Sequence, residues 1–112
     1  MIHTDSLRNN NDFRTVYRDG ISRANKLLIV YLLENSTDRN SLGISVSKKV
    51  GNSVVRHRLK RLIKESYRLH ENMFNSGLNI VVIARVGADK ATYSEIESAL
   101  LHLMRLHNVI VK

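Results

Sequence analysis

The chain has no cysteine, which excludes disulfides, thiolate metal sites and a cysteine nucleophile. Proline is absent too and glycine is limited to five residues, so no Pro-rich or Gly/Ser-rich linker divides the 112 residues. One domain is expected. No apolar run approaches the roughly 18 residues that would cross a bilayer; the longest, Leu27 to Leu33, has the length of a strand. The opening residues MIHTDSLRNNND offer neither the positive n-region nor the apolar h-region of a secretion signal, so the expected compartment is the cytoplasm, with no membrane partner. Hydrolytic machinery is missing as well. There are no paired carboxylates at metal-binding spacing, no Ser-His-Asp signal and no Gly-rich phosphate loop.

What the chain does have is positive charge in one place. Between Lys48 and Arg68 it reads KKVGNSVVRHRLKRLIKESYR, with eight basic residues and Glu65 as the only acid. That stretch carries +7 of the formal +8, and elsewhere ten basic residues meet nine acidic ones. Surface helices ordinarily intersperse the two signs. A run that does not is suited to a polyanion.

Punctuation and periodicity order the rest. Asn11 or Asp12 can cap a short helix through Phe13, Val16 and Tyr17, ended by Gly20. ISRAN leads into KLLIVYLLEN, a buried strand, and NSTDRNS turns the chain. In LGISVSKK, Leu42, Ile44 and Val46 alternate with Gly43, Ser45 and Ser47, which gives a strand with one apolar and one small, polar face. Gly51, Asn52 and Ser53 break that strand and cap the basic helix. Ile80 to Ala84 reads as a central strand. Thr92 and Glu95 form a capping box for a last helix with Ile96, Leu100, Leu103 and Leu106 on one face. The resulting order, α-β-β-α-β-α, predicts an α+β two-layer sandwich in which the basic helix crosses over between parallel strands.

At about 100° per residue, Val55, Leu59, Leu62, Ile63 and Ser66 of the basic helix share a buried stripe. Arg61, Lys64 and Arg68 lie opposite, flanked by Arg56, Arg58 and Lys60, with His57 among them. Like charges at these spacings repel. The neighbours of His57 are cations that disfavour a divalent ion, so stacking or hydrogen bonding is its expected use.

The string SVSKKVGNSVVRHRLKRLIKES resembles the signature of the bacterial ribonuclease P protein subunit, in which S-K-K and G-N-x-V precede an Arg-Asn-Arg triplet and K-R-L-I. The flanks DFRTVYRDG, SRAN, LIVYL, NIVVIAR and SALLHLMRLH extend the resemblance over nearly the whole chain. His57 departs from it, standing where that family usually has Asn. The resemblance implies a small mixed sheet of about four strands with three helices and a left-handed β-α-β crossover, the ribosomal protein S5 domain 2-like arrangement. It also implies the protein cofactor of a ribozyme that removes the 5′ leader of precursor tRNA, with the chemistry carried by the RNA subunit and its Mg²⁺. No cofactor is expected on the protein itself, and no protein partner is required.

Carried onto these residues, the resemblance assigns contact with the catalytic RNA to Arg56, His57, Arg58, Lys60, Arg61, Lys64 and Arg68. A cleft where the sheet meets the first helix would hold the single-stranded leader of precursor tRNA. Its residues here are the aromatics Phe13, Tyr17 and Tyr31, with Arg23, Asn25, Lys26, Ser45, Ser47, Lys48 and Lys49. Aromatic platforms beneath bases and cations beneath phosphates are how single-stranded RNA is gripped. On spacing alone, Phe13 and Tyr17 read as an i, i+4 pair filling the core, and the resemblance reverses that reading. Tyr67, Phe74 and Tyr93 are read as packing residues. Two other functions fit the charge: a structural RNA-binding protein of the ribosomal type, and a self-sufficient nuclease with His57 as base.

Overall fold

Alternation along the two apolar runs builds the centre of the sheet. In the computed structural model, which describes residues 3–111, β1 spans Thr4–Ser6, α1 Asn10–Asp19, β2 Ile21–Ala24, β3 Leu28–Glu34, β4 Asn40–Ser45, α2 Ser53–His70, β5 Leu78–Ala84 and α3 Tyr93–Leu106. A single 3-10 turn, Glu71–Met73, follows α2. The five strands run in the order β1-β4-β5-β3-β2. β5 pairs in parallel with β4 and antiparallel with β3, so α2 is the crossover between parallel neighbours.

The sheet therefore has five strands, one more than the roughly four that the resemblance implies and two more than the three that the periodicity marks. Both additions are short edge strands without an alternation to announce them. β1 pairs in parallel with β4, and β2 folds back on β3. The first helix begins earlier than expected, capped by Asn9, whose side chain accepts from the Asn11 amide. It ends at Gly20 for a reason other than a left-handed cap: Gly20 is extended, and a Cβ there would lie 2.5 Å from the Val16 carbonyl oxygen.

Leu28, Val30 and Leu32 of β3, Leu42 of β4 and Ile80 and Val82 of β5 face α2 and α3, and together form the main core. Leu59, Ile63 and Tyr67 descend onto it from α2, and Ile96, Leu100 and Leu103 from α3. Leu106, expected on the same stripe, is instead 48% exposed, because α3 ends there. Burying a side chain the size of Leu or Ile stabilises by roughly 1.5–3 kcal/mol, whereas each like-charge pair on a helix costs only about 0.2–0.5 kcal/mol. Packing of the stripe thus holds the cationic face together. The expected caps form: Asn52 accepts from the Val55 amide, and Thr92 and Glu95 close their reciprocal box.

A buried polar chain fastens β1 to α2. The Tyr67 hydroxyl lies 2.9 Å from Thr4 Oγ1, and Asn40 Nδ2 donates to it at 3.3 Å. The same Asn40 amide donates to the Asn75 carbonyl, while Asn40 Oδ1 accepts from the Leu78 amide. Thr4, Asn40 and Tyr67 each find a partner within this network, so it orients β1 and does not weaken the core.

His107, just past α3, sits 2.8 Å from the Val30 carbonyl through Nε2, and burial holds its pKa below the ordinary imidazole value. Unfolding returns it to that value, so the unfolded chain binds more protons near pH 6 and stability falls as pH drops through about 6.5. Urea titrations between pH 7.5 and 5.5 should show this loss, and His107→Gln, which keeps a donor but cannot titrate, should flatten it. An unchanged slope in that variant would place the titration elsewhere.

Candidate RNA interface

The exposed side of α2 presents His57, Lys60, Arg61 and Lys64 to solvent. Lys60, Arg61 and Lys64 make no ion pair among the described residues. These cations are free to meet phosphate oxygens. The remaining basic residues of the helix are engaged differently. Arg58 is half-buried and donates to the Ala91 carbonyl at 2.6 Å and to the Asp89 carbonyl at 3.4 Å, which ties the start of α2 to the loop before α3. Arg68 is paired with Glu65 one turn away. Arg56 is half-buried, and its Nε is shielded from solvent without a hydrogen-bond partner.

The α2 face thus divides into free cations and a structural one. Arg58→Ala should lower stability by about 1–3 kcal/mol, since it leaves two loop carbonyls without their charged donor. Arg61→Ala should leave stability within about 0.5 kcal/mol of wild type, as expected for an exposed side chain without partners. Urea unfolding of the two variants checks the contrast. Equal stabilities would mean that Arg58 does not anchor the loop.

On the opposite side of the sheet, α1 lies across β5, β3 and the end of β1. A minor core of Leu7, Val16 and Val81 is flanked by half-buried Phe13, Tyr31, Leu33 and Ile83. Val16, not the aromatic pair, is the buried anchor of α1. Phe13, Tyr17 and Tyr31 form a row: the ring centroids of Phe13 and Tyr17 are 6.2 Å apart, and those of Tyr17 and Tyr31 5.1 Å apart, edge to face. Tyr17 is 39% exposed. Partial burial raises its pKa, against a hydrogen bond with Ser45, so the phenol stays neutral at physiological pH.

The small face of β4 makes room for this row. A Cβ on Gly43 would stand 2.5 Å from Phe13 Cζ, so only glycine lets the ring settle against the strand. Ser45 continues the same face toward the exposed turn that carries Ser47, Lys48 and Lys49. This face thus has an aromatic row with Ser45 beside it, and the turn that follows β4 carries two exposed lysines. Such a surface can stack bases while attracting their phosphates.

Three residues expected in this cleft are not gathered there. Arg23 pairs directly with Val30, a core residue of the α2/α3 face, and opposed residues of an antiparallel pair point the same way, so Arg23 lies on the other side of the sheet. Asn25 Nδ2 donates to the Ala99 carbonyl at 2.9 Å, and Asn25 Oδ1 accepts from the Leu27 and Leu28 amides. Asn25 and Lys26 line a separate hollow against α3. Strand alternation separates these near neighbours in sequence. Conversely, Ser6 and Arg8 lie beside the cationic face of α2 without having been marked by the sequence pattern, because they belong to a segment with no periodicity. Among the described residues, no three His, Asp or Glu side chains converge as metal ligands.

The chain that carries these two surfaces matches a known group of proteins. The family model described as Ribonuclease P covers residues 1–107. The chain belongs to the ribonuclease P protein family. It is 57% identical over 107 residues to the ribonuclease P protein component of Lachnoclostridium phytofermentans, covering 96% of this chain and 92% of that one. Against the component from Clostridioides difficile it is 43% identical, with 96% of both chains covered. The solved RNase P protein of Staphylococcus aureus superposes with a TM-score of 0.87 at 38% identity, over 94% of this chain and 96% of that one. The protein from Thermotoga maritima gives 0.84 at 29% identity, over 91% and 96%. The protein is thus a subunit of ribonuclease P. Among its described residues, no helix is long and apolar enough to cross a membrane.

Proposed function

We propose that the chain is the non-catalytic subunit of the holoenzyme: α2 binds the RNA subunit and the Phe13–Tyr17–Tyr31 cleft binds the 5′ leader of precursor tRNA while the RNA cleaves the phosphodiester bond. The observation that carries this reading is the presence of two separate RNA-type surfaces on a chain without a hydrolytic constellation. Lys60, Arg61 and Lys64 provide unpaired charge, and the other face provides partly exposed aromatics along β4, whose following turn carries the exposed Lys48 and Lys49. Among the described residues, no three His, Asp or Glu side chains gather as a cluster that could hold Mg²⁺. Metal-assisted hydrolysis therefore belongs to the RNA in this reading, and the protein contributes binding and orientation.

The test is reconstitution. Protein and a bacterial ribonuclease P RNA, mixed with precursor tRNA at low Mg²⁺, should cleave faster than the RNA alone, and the protein alone should not cleave. Cleavage by the protein without RNA would support the nuclease reading centred on His57. Binding to the RNA without any effect on cleavage would support a structural RNA-binding protein. Salt dependence separates none of these, because every phosphate-binding protein shows it.

A further inference from the structure

α2 does not lie flat along the β1–β4 edge of the sheet. Ile44 faces the helix between Leu42 and Val46, both buried, yet is itself only half-buried. The gap above it is a cavity of about 370 Å³, with Ser6, Leu42 and Ile44 on the sheet side and Lys60, Arg61 and Lys64 on the helix side. Ser6 points into it because it shares a strand face with Thr4, whose hydroxyl meets Tyr67 of α2. Leu7, Arg8 and His57 complete the lining.

This chemistry does not suit a duplex backbone alone. Phosphates along a rod need a convex row of cations, and α2 already offers one; an apolar recess beneath that row adds nothing to phosphate binding. A nucleotide turned out of its stack presents a flat, largely apolar base on one side and a phosphate on the other, which matches an apolar floor walled by cations. The volume lies at the lower end of the range for small-molecule sites, about 300–1,000 Å³, room for one nucleotide and not a run of them. β1 is an edge strand, so its main chain has unpaired groups on its free side to meet a base edge.

We propose that this cavity receives one unstacked nucleotide of single-stranded RNA, its base against Ser6, Leu42 and Ile44 and its phosphate between Lys60 and Lys64. The proposal rests on α2 being an RNA contact, and it adds that one position is read by insertion and not by charge alone. The nucleotide comes from the RNA subunit or from precursor tRNA.

Ser6→Trp fills the cavity from an exposed strand position without changing charge, and Ser6→Ala is its control. Both are first checked for wild-type circular dichroism and urea unfolding. With Ser6→Trp, binding at the nucleotide's source should weaken at least tenfold while its salt slope stays that of wild type, and one base protected from chemical modification in the wild-type holoenzyme should become reactive. Loss in assembly with the RNA subunit places the nucleotide there. Loss confined to precursor tRNA binding by the assembled holoenzyme places it in the substrate. Wild-type affinity at both steps, or a loss without any newly reactive base, overturns the insertion. Lys60→Ala/Lys64→Ala keeps the two levels apart: if it lowers the salt slope while Ser6→Trp has no effect, α2 remains an RNA contact and only the nucleotide site is wrong. If should Ser6→Trp itself unfold, Ser6→Leu, a smaller filler with strand propensity, carries the same expectations.

Discussion

Replacing Arg61 and Lys64 together by alanine should weaken assembly with the RNA subunit by on the order of tenfold near physiological salt, and should flatten its salt dependence. Both side chains are exposed and without ion pairs, so the substitution removes charge and little packing. Each phosphate contact releases condensed counterions and contributes roughly 0.7–0.9 to the magnitude of the slope of log affinity against log salt. Two lost contacts should therefore reduce the slope by about 1.4–1.8. The measurement is the dissociation constant of the protein–RNA complex across a series of salt concentrations. Unchanged affinity and slope would remove this helix face from the interface, whatever the total charge of the protein.

The second large effect is selective. Phe13→Ala/Tyr17→Ala should weaken binding of precursor tRNA to the assembled holoenzyme by fivefold or more and leave mature tRNA binding unchanged, because mature tRNA has no leader to enter the cleft. A stacked base is worth roughly 1–3 kcal/mol, which sets that scale. The fold should survive, since Val16 and not the aromatic pair is the fully buried anchor of α1. Gly43→Ala tests the same cleft from below: its Cβ would meet Phe13 Cζ at 2.5 Å and drive the ring out of its seat. That variant should lose precursor selectivity in the same direction. Precursor and mature tRNA affinities falling by one common factor, in proteins that unfold at wild-type urea concentrations, would make these aromatics packing residues and move the leader elsewhere.

Both predictions concern surfaces that were partly visible in one dimension. The helical period placed Arg61 and Lys64 opposite Leu59 and Ile63 with Lys60 flanking them, and the structure keeps that division, because a helix fixes which residues share a face within a few positions. The alternation of Leu42, Ile44 and Val46 with Gly43, Ser45 and Ser47 likewise foretold one apolar and one small face of β4. The caps at Asn52 and Thr92 were legible for the same reason, being contacts over three residues.

Other assignments depended on partners far along the chain. Arg58 has the composition of an RNA ligand and the helical position of one, yet its guanidinium is held by the carbonyls of Asp89 and Ala91, about thirty residues away. Arg23 sits among cleft residues in sequence, but its pairing with Val30 turns it to the far face of the sheet. The edge strands β1 and β2 are too short to carry a period, and only hydrogen bonding to β4 and β3 makes them strands. The sequence by itself therefore determined the charge of this protein, the amphipathic faces of its helices and its family, because these are written in local spacing and residue identity. Tertiary structure alone decided which cations are free, which side of the sheet each residue serves and where α2 stands away from the sheet, because those depend on contacts between segments that no local pattern records.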